Sequence, residues 1–311
     1  MYDTIHLWLP EEQAGTNSLL SYVPQFLSAI TEHQKEGGGG FISGTLGSNY
    51  RANVSLNGLS LKGSLAKYYL SDNFQTLTRS DSKRAIQMLS DELHLPIYKA
   101  KVTRLDLAQN FLMKYKPEAY YNYLGESQHY QRLSQPKSLY YNNGLRTKLF
   151  YNKVAEGTKR GLTLPAVWQG QNVLRYEMRY TSRLAKEFNF PELTASILHD
   201  EKFYMQLVQR WVAEYEEIQK HHIINFNLQD MSSPKDFFKQ LILMKINEIG
   251  QTNAMQLVED LRARNAFDKP EYYSRLKKEI RELCQTPDLT TSSELVAELD
   301  KKVSAAKRYC R

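Results

Sequence analysis

Apolar and polar residues alternate from residue 2 to residue 9, and the alternation stops at Pro10, as in a strand that runs into a loop. Residues 17–31 carry apolar side chains at helical spacing instead, and the glycines at 37–40 then break the chain. Between Phe41 and Tyr69, short β-rich pieces are parted by Gly44, Gly47, Asn57-Gly58 and Gly63, which predicts an antiparallel meander with a hairpin at the Asn-Gly pair. Ser80 or Asp81 can cap a helix reaching Leu93. A long strand-like stretch at 98–112 and a short helix at 117–124 follow. Two strands at 137–142 and 147–153 flank Asn143-Gly144. Another, at 172–180, lies beyond a flexible basic loop containing Lys159, Arg160 and Gly161.

Beyond Arg183 the period turns helical, and helices are predicted at 235–249, 253–264, 270–283 and 293–309. The expected fold is α+β, a mainly antiparallel sheet with flanking helices over residues 1–225, followed by a small all-helical C-terminal domain over 226–311.

Composition narrows the partners. There are 41 Lys+Arg against 34 Asp+Glu, a formal charge of +7, which favours a polyanion. The 21 tyrosines are interleaved with basic residues; such rings can stack on unpaired bases, although strand tyrosines also arise from ordinary half-burial. Cys284 and Cys310 match neither a disulfide framework nor a zinc spacing, so a reducing, cytoplasmic setting is expected. No apolar run is long enough to span a bilayer, and Met1 leads straight into the first strand without a signal-peptide pattern. No membrane partner is therefore expected.

Three strand segments carry the candidate chemistry: Thr-Arg-Leu-Asp-Leu-Ala at 103–108, Leu-Phe-Tyr-Asn-Lys at 149–153 and Leu-Arg-Tyr-Glu-Met-Arg at 174–179. Their period of two places Arg104, Asp106 and Asn110 on one face, Thr147, Tyr151 and Lys153 on another, and Arg175, Glu177 and Arg179 on a third. If the strands are neighbours, two carboxylates, a tyrosine and several cations converge. Such a set suits attack by a tyrosine on a phosphodiester, with carboxylates holding a divalent metal and cations stabilising the added charge. The same residues also serve as plain cross-strand ion pairs, and spacing does not separate the two readings. Tyr140 and Tyr141 are rival nucleophiles, or stacking platforms for bases beside a nick.

In order along the chain, Asp3 before an apolar strand, Ser-Leu-Ala-Lys at 64–67 leading to Asn73, Thr-Arg-Leu-Asp-Leu-Ala, Ser-Leu-Tyr-Tyr-Asn at 138–142, Leu-Phe-Tyr-Asn-Lys and Leu-Arg-Tyr-Glu-Met-Arg followed by Arg183 resemble the replication initiators of the filamentous-phage gene II/X type. More distantly they resemble the rolling-circle initiators of small Gram-positive plasmids. The resemblance covers roughly residues 1–200. It implies Tyr151 as the DNA-linked nucleophile, Asp106 and Glu177 as metal-site residues, and Lys153 as a phosphate contact. Asp3 is a further candidate ligand.

The resemblance implies nicking of one strand through a 5′-phosphotyrosyl bond, a 3′ hydroxyl for synthesis, and religation. Arg104, Tyr140, Tyr141, Lys148, Lys159, Arg160, Arg175 and Arg179 are the expected DNA contacts. A carboxylate-rich site favours Mg2+ or Mn2+ over zinc, and no His-hydrophobe-His triplet is present, since His221-His222 precedes two isoleucines. His6 and His129 read as solvated or core histidines. Expected partners are duplex and single-stranded origin DNA, with host helicase and polymerase, and a homodimer is among the expected assemblies. Residues 253–264 and 269–283 form a candidate helix-turn-helix, whose positive stripe is diluted by Glu271, Glu279 and Glu282. The rival functions are a conjugative relaxase, which would carry histidine ligands, and a non-catalytic origin-binding replication protein, which would show internal duplication. Neither feature is found in the sequence.

Overall fold

The structure, a computed structural model, describes residues 1–34, 39–47, 49–221, 223–224, 233–285, 290–291 and 293–309. Among the described residues up to 180 there are eleven strands: β1 (Tyr2–Pro10), β2 (Ser28–Gln34), β3 (Gly40–Leu46), β4 (Tyr50–Ser55), β5 (Gly58–Ser64), β6 (Lys101–Leu112), β7 (Leu124–Ser127), β8 (Gln131–Gln135), β9 (Ser138–Asn142), β10 (Arg146–Asn152) and β11 (Val173–Tyr180). All but β7 join one antiparallel sheet in the order β2-β3-β4-β5-β1-β6-β11-β10-β9-β8. Strand β7 pairs with Ile218–Lys220.

Helices α1 (Glu11–Ala14), α2 (Leu19–Tyr22), α3 (Leu65–Leu70), α4 (Arg79–Leu93), α5 (Pro117–Tyr121), α6 (Lys153–Lys159), α7 (Leu184–Glu187) and α8 (Glu201–Glu216) complete this part. Most of the core lies between one face of the sheet and α4 and α8. Ile5, Leu7, Leu105, Leu107, Phe150, Tyr176 and Met178 pack there against Leu89, Leu207 and Trp211. Phe150 stacks on Tyr176 with ring centroids 4.5 Å apart, and Tyr176 lies 4.6 Å from Trp211. Burying such rings drives the sheet to present one apolar face to the helices.

Local rules account for most element ends. Thr78 caps α4 in a capping box with Asp81, so the cap lies just before the expected Ser80 or Asp81, and Asp81 is its partner three residues on. Gly58 opens β5 at φ +149°, where a Cβ would stand 2.4 Å from the Leu9 carbonyl oxygen; only glycine fits. The helix expected at 17–31 is only α2 and a 3₁₀ turn, and the chain then enters edge strand β2. There β3 supplies ladder partners, and tertiary pairing outweighs a helical period. The helix expected at 117–124 ends at Tyr121, and Leu124 begins β7.

The C-terminal region is helical, as expected: α9 (Pro234–Ile249), α10 (Gln251–Ala263), α11 (Glu271–Gln285) and α12 (Glu294–Tyr309). Leu243, Ile246, Ala254 and Cys284 form a small core among the first three of these. Helix α12 returns to the main core through Leu299, Val303 and Ala306. Glu298 accepts a hydrogen bond from the Tyr120 hydroxyl, and Tyr215 donates to Asp300 at 2.5 Å. The expected boundary at 225/226, His222 and Cys310 lie outside the described residues.

The cations of α11 are held by acids. Arg275 pairs with Glu279 at 3.0 Å, Lys278 with Glu282 at 3.6 Å, Arg281 with Glu126 at 3.4 Å, and Lys277 with Glu259. The connection between α10 and α11, residues 264–270, is also longer than the turn of about 3–4 residues in a helix-turn-helix.

Candidate functional site

Sheet order makes neighbours of the three strands singled out by sequence, with β6, β11 and β10 side by side and β1 beyond β6. Register then builds rows across the sheet. Asn110, Arg175, Tyr151 and Ser138 stand in one row; Ala108, Glu177, Leu149 and Tyr140 in the next; Asp106, Arg179, Thr147 and Asn142 in the third. In each row the side chains project from the face opposite the aromatic core.

Arg175 sits at the centre of the cluster and is fully buried. It pairs with Asp3, donates to Asn110 Oδ1 and to the Asn73 carbonyl oxygen, each at 3.1 Å, and lies 3.5 Å from Glu177. Asp3 reaches it because of a register shift on β1: Tyr2 and Ile5 both face the core, which leaves Asp3 turned to the open side. Ser64 donates to Asp3 at 2.6 Å and Asn73 at 3.3 Å. Burial alone would raise the Asp3 pKa, but Arg175, Ser64, Asn73 and Lys153 outweigh it, and the carboxyl is held below its ordinary range.

Asp106 is buried and receives both arms of Arg104, at 2.9 and 2.7 Å. Arg179 joins it to Glu177, standing 2.7 Å from Glu177 Oε1 and 3.9 Å from Asp106 Oδ2. Burial pushes the Asp106 pKa up to about 7; the hydrogen bond from Arg104 opposes this and the Glu177 charge adds to it. The Tyr151 hydroxyl stands 3.5 Å from Glu177 Oε2. Its pKa is raised above the phenol range mainly by burial, against the pull of Arg175.

A cavity of about 330 Å3 opens beside Tyr151, walled by Tyr140 and Leu149 and rimmed by Lys137, Lys159, Arg160 and Arg179. The segment expected to be a flexible basic loop is in part helix α6, capped by Asn152, whose side chain accepts from the Ala155 amide at 3.0 Å. Lys153 opens this helix rather than ending the strand. Its buried ammonium lies 3.0 Å from Glu156 and 5.1 Å from the centre of the Phe74 ring. Burial, and then Arg175, lower its pKa against the pull of Glu156.

Two expected DNA contacts are corrected. Lys148 and Tyr141 alternate with the open-face residues and are buried among the helices, each 0% exposed. Lys148 is held by Glu214 at 2.8 Å and Ser127 at 2.9 Å and lies over the Tyr130 ring, and the Tyr141 hydroxyl donates to the Gly125 carbonyl oxygen at 2.7 Å. A charged side chain is that deeply buried only when paired, and nothing of either side chain reaches the open face. Asn73 and Asn152 stand in the sequence motifs without an assigned role, and Lys137 and Glu156 carry no signal there as site residues. These lie in loops or at element ends, where no period marks them, and Asn73 reaches the site only through the fold.

Among the described residues, no three of His, Cys, Asp and Glu stand together as a ready metal cage. Asp106 and Glu177 do offer hard oxygen donors, bridged by one arginine. A hydrated Mg2+ or Mn2+ typically takes one or two carboxylates and completes its shell with water and phosphate; here it would take the place of an arginine, since Asp106 accepts both arms of Arg104 and Glu177 faces Arg179 and Arg175. Asp3, on β1, pairs with Arg175.

The antiparallel sheet thus buries one face under helices and gathers a tyrosine, carboxylates and cations on the other. The chain belongs to the phage replication-associated protein family of the gene II type: the family model for the N-terminal region of that replication-associated protein matches residues 1–214. It is a replication initiator protein by that membership, in agreement with the resemblance read from its strand motifs. No individual curated protein matches the chain.

Proposed function

We propose that this protein initiates rolling-circle replication by nicking one strand of origin DNA, with Tyr151 as nucleophile. The observation that carries the reading is the Tyr151 phenol, on the open sheet face in a cation-rimmed cavity, beside Arg175 and 3.5 Å from Glu177. In the step envisaged, the Tyr151 Oη–P bond forms as the P–O3′ bond breaks. The phenolic proton leaves through Glu177, and the departing 3′ oxygen takes a proton from water. Arg175, Arg179 and Lys153 are the groups that stabilise the charge gathering on the phosphoryl oxygens. Lys159 and Arg160 hold flanking phosphates. Asp106 and Glu177 would hold Mg2+ or Mn2+, which when bound polarises the scissile phosphate. The 5′-phosphotyrosyl bond keeps the energy of the broken linkage, so the reverse reaction reseals the strand. The freed 3′ hydroxyl would serve a host polymerase, with a host helicase opening the duplex.

Tyr140 is a second candidate nucleophile because it lines the same cavity, one row from Tyr151. The test is denaturing-gel analysis of wild type, Tyr151→Phe and Tyr140→Phe with supercoiled DNA carrying the cognate replication region and Mg2+ or Mn2+. A protein–DNA adduct lost only in Tyr151→Phe supports the proposal. Loss only in Tyr140→Phe moves the nucleophile, and tight binding without adduct or relaxed circles in any metal leaves an origin-binding protein.

A further inference from the structure

The outer three strands of the sheet carry a second arrangement. Register places Leu133, Tyr140 and Leu149 side by side on the open face, one from each of β8, β9 and β10. Leu133 is 54% exposed although it is a large apolar residue at a sheet edge, and Tyr140 is half-buried beside it. The next row is polar, with Gln135 and Ser138 in line with Tyr151. The Ser138 hydroxyl donates to Gln135 Oε1 at 3.2 Å, and among the described residues the Gln135 side-chain Nε2 donates to no protein acceptor. Lys137, at the turn joining β8 and β9, and Arg160 stand at the rim of the same cavity.

We propose that this platform takes one unpaired nucleobase of the strand to be nicked, and that Gln135 reads its edge. The claim rests on the nicking reading and deepens it by assigning the site a single-stranded substrate and a specificity residue. A base is a flat apolar ring with a polar rim, and the platform matches it part for part. Leucine and tyrosine side chains cover the ring face. The glutamine amide, oriented by Ser138, offers a donor and an acceptor to the rim, the pairing best matched by adenine. The cations meet the phosphates on either side without regard to sequence. The cavity of about 330 Å3 lies at the small end of ligand pockets, on the scale of one nucleotide rather than a duplex. A base seated there would lie one row from Tyr151, so seating it would place a neighbouring phosphate at the phenol. Leu133, opposite Tyr140 and just outside the residues that line the cavity, would be covered by a ring that extends over the sheet edge.

The test uses the full chain as Tyr151→Phe, so that binding is read without cleavage, and fluorescence anisotropy with labelled dA12, dC12, dT12 and a twelve-unit abasic strand. Stacking on the platform predicts that the abasic strand binds at least about fivefold more weakly than dA12, and that Tyr140→Ala or Leu133→Ser removes most of this difference. Leu133→Ser is the safeguard, since an exposed edge residue is replaced without disturbing the core. Gln135→Ala is expected to bring dA12, dC12 and dT12 towards equal affinity. Lys137→Ala is expected to weaken all strands alike and to lower the salt dependence. Equal binding of abasic and base-bearing strands, or Leu133→Ser and Tyr140→Ala without effect on that difference, would overturn the platform. An unchanged ranking in Gln135→Ala would remove the reading role. Absence of a covalent adduct in the wild type would defeat the nicking reading and leave these binding outcomes intact.

Discussion

At the scale of single residues, opposite fates follow from which side of a strand a residue faces. Lys148 and Tyr151 are three apart on β10, yet one is sealed beneath the helices and the other lines the cavity. Lys148→Ala would leave Glu214, itself 5% exposed, with Arg146 as its remaining cation. The loss expected is about 3 kcal/mol, read as a lower urea midpoint, with single-stranded DNA affinity unchanged in the protein that remains folded. His6 faces the same open side near Arg104 and Lys62. Burial, and then those two cations, lower its pKa to about 4. Between that value and the ordinary value of about 6.5, the unfolded chain binds a proton that the folded chain refuses. Stability is therefore full above about pH 6.5 and falls as pH drops towards 4. The loss is on the order of 1 kcal/mol once solvent screening of a half-buried group is allowed for. Urea midpoints at about pH 7.5 and about pH 4.5 should differ less in His6→Gln than in wild type; equal differences would refute the assignment.

At the scale of elements, caps and register decide how precisely the site is held. Asn152 ends β10, caps α6 and donates to Glu118 at 3.1 Å, so one side chain aims the helix that brings Lys159 and Arg160 to the cavity. Thr78 caps α4 and does not line that cavity. Asn152→Ala and Thr78→Ala should each cost about 1 kcal/mol in urea unfolding. Only Asn152→Ala is expected to weaken single-stranded DNA binding as well; a matching loss in Thr78→Ala would mean that general stability, not the aim of α6, sets affinity. The alternating strands and capped helices were legible because period and cap chemistry are local. The helix expected at 17–31 was misread because β2 is an edge strand defined by its pairing with β3.

At the scale of the whole molecule, the last helix binds the site-bearing sheet to the C-terminal region. Leu299 and Val303 of α12 are buried in the main core, and its acids hold tyrosines of α5 and α8. Leu299→Ala should therefore destabilise the sheet body by about 3 kcal/mol. The transition would be visible in tryptophan fluorescence, to which the buried Trp211 of neighbouring α8 contributes. A sheet transition that stays at the wild-type midpoint would show α12 to be a bystander.

The sequence by itself determined the fold class, the strands that carry the chemistry, and the faces on which Arg104, Asp106, Tyr151, Arg175, Glu177 and Arg179 lie, because a period of two is written in neighbouring residues. Tertiary structure alone decided that β1, β6, β11 and β10 are adjacent, and that a shift in β1 turns Asp3 to Arg175. It also decided that the opposite face of β10 is closed by α8, and that α12 joins the main core. Each of these depends on contacts between residues far apart in the chain, where burial and pairing outweigh local preference.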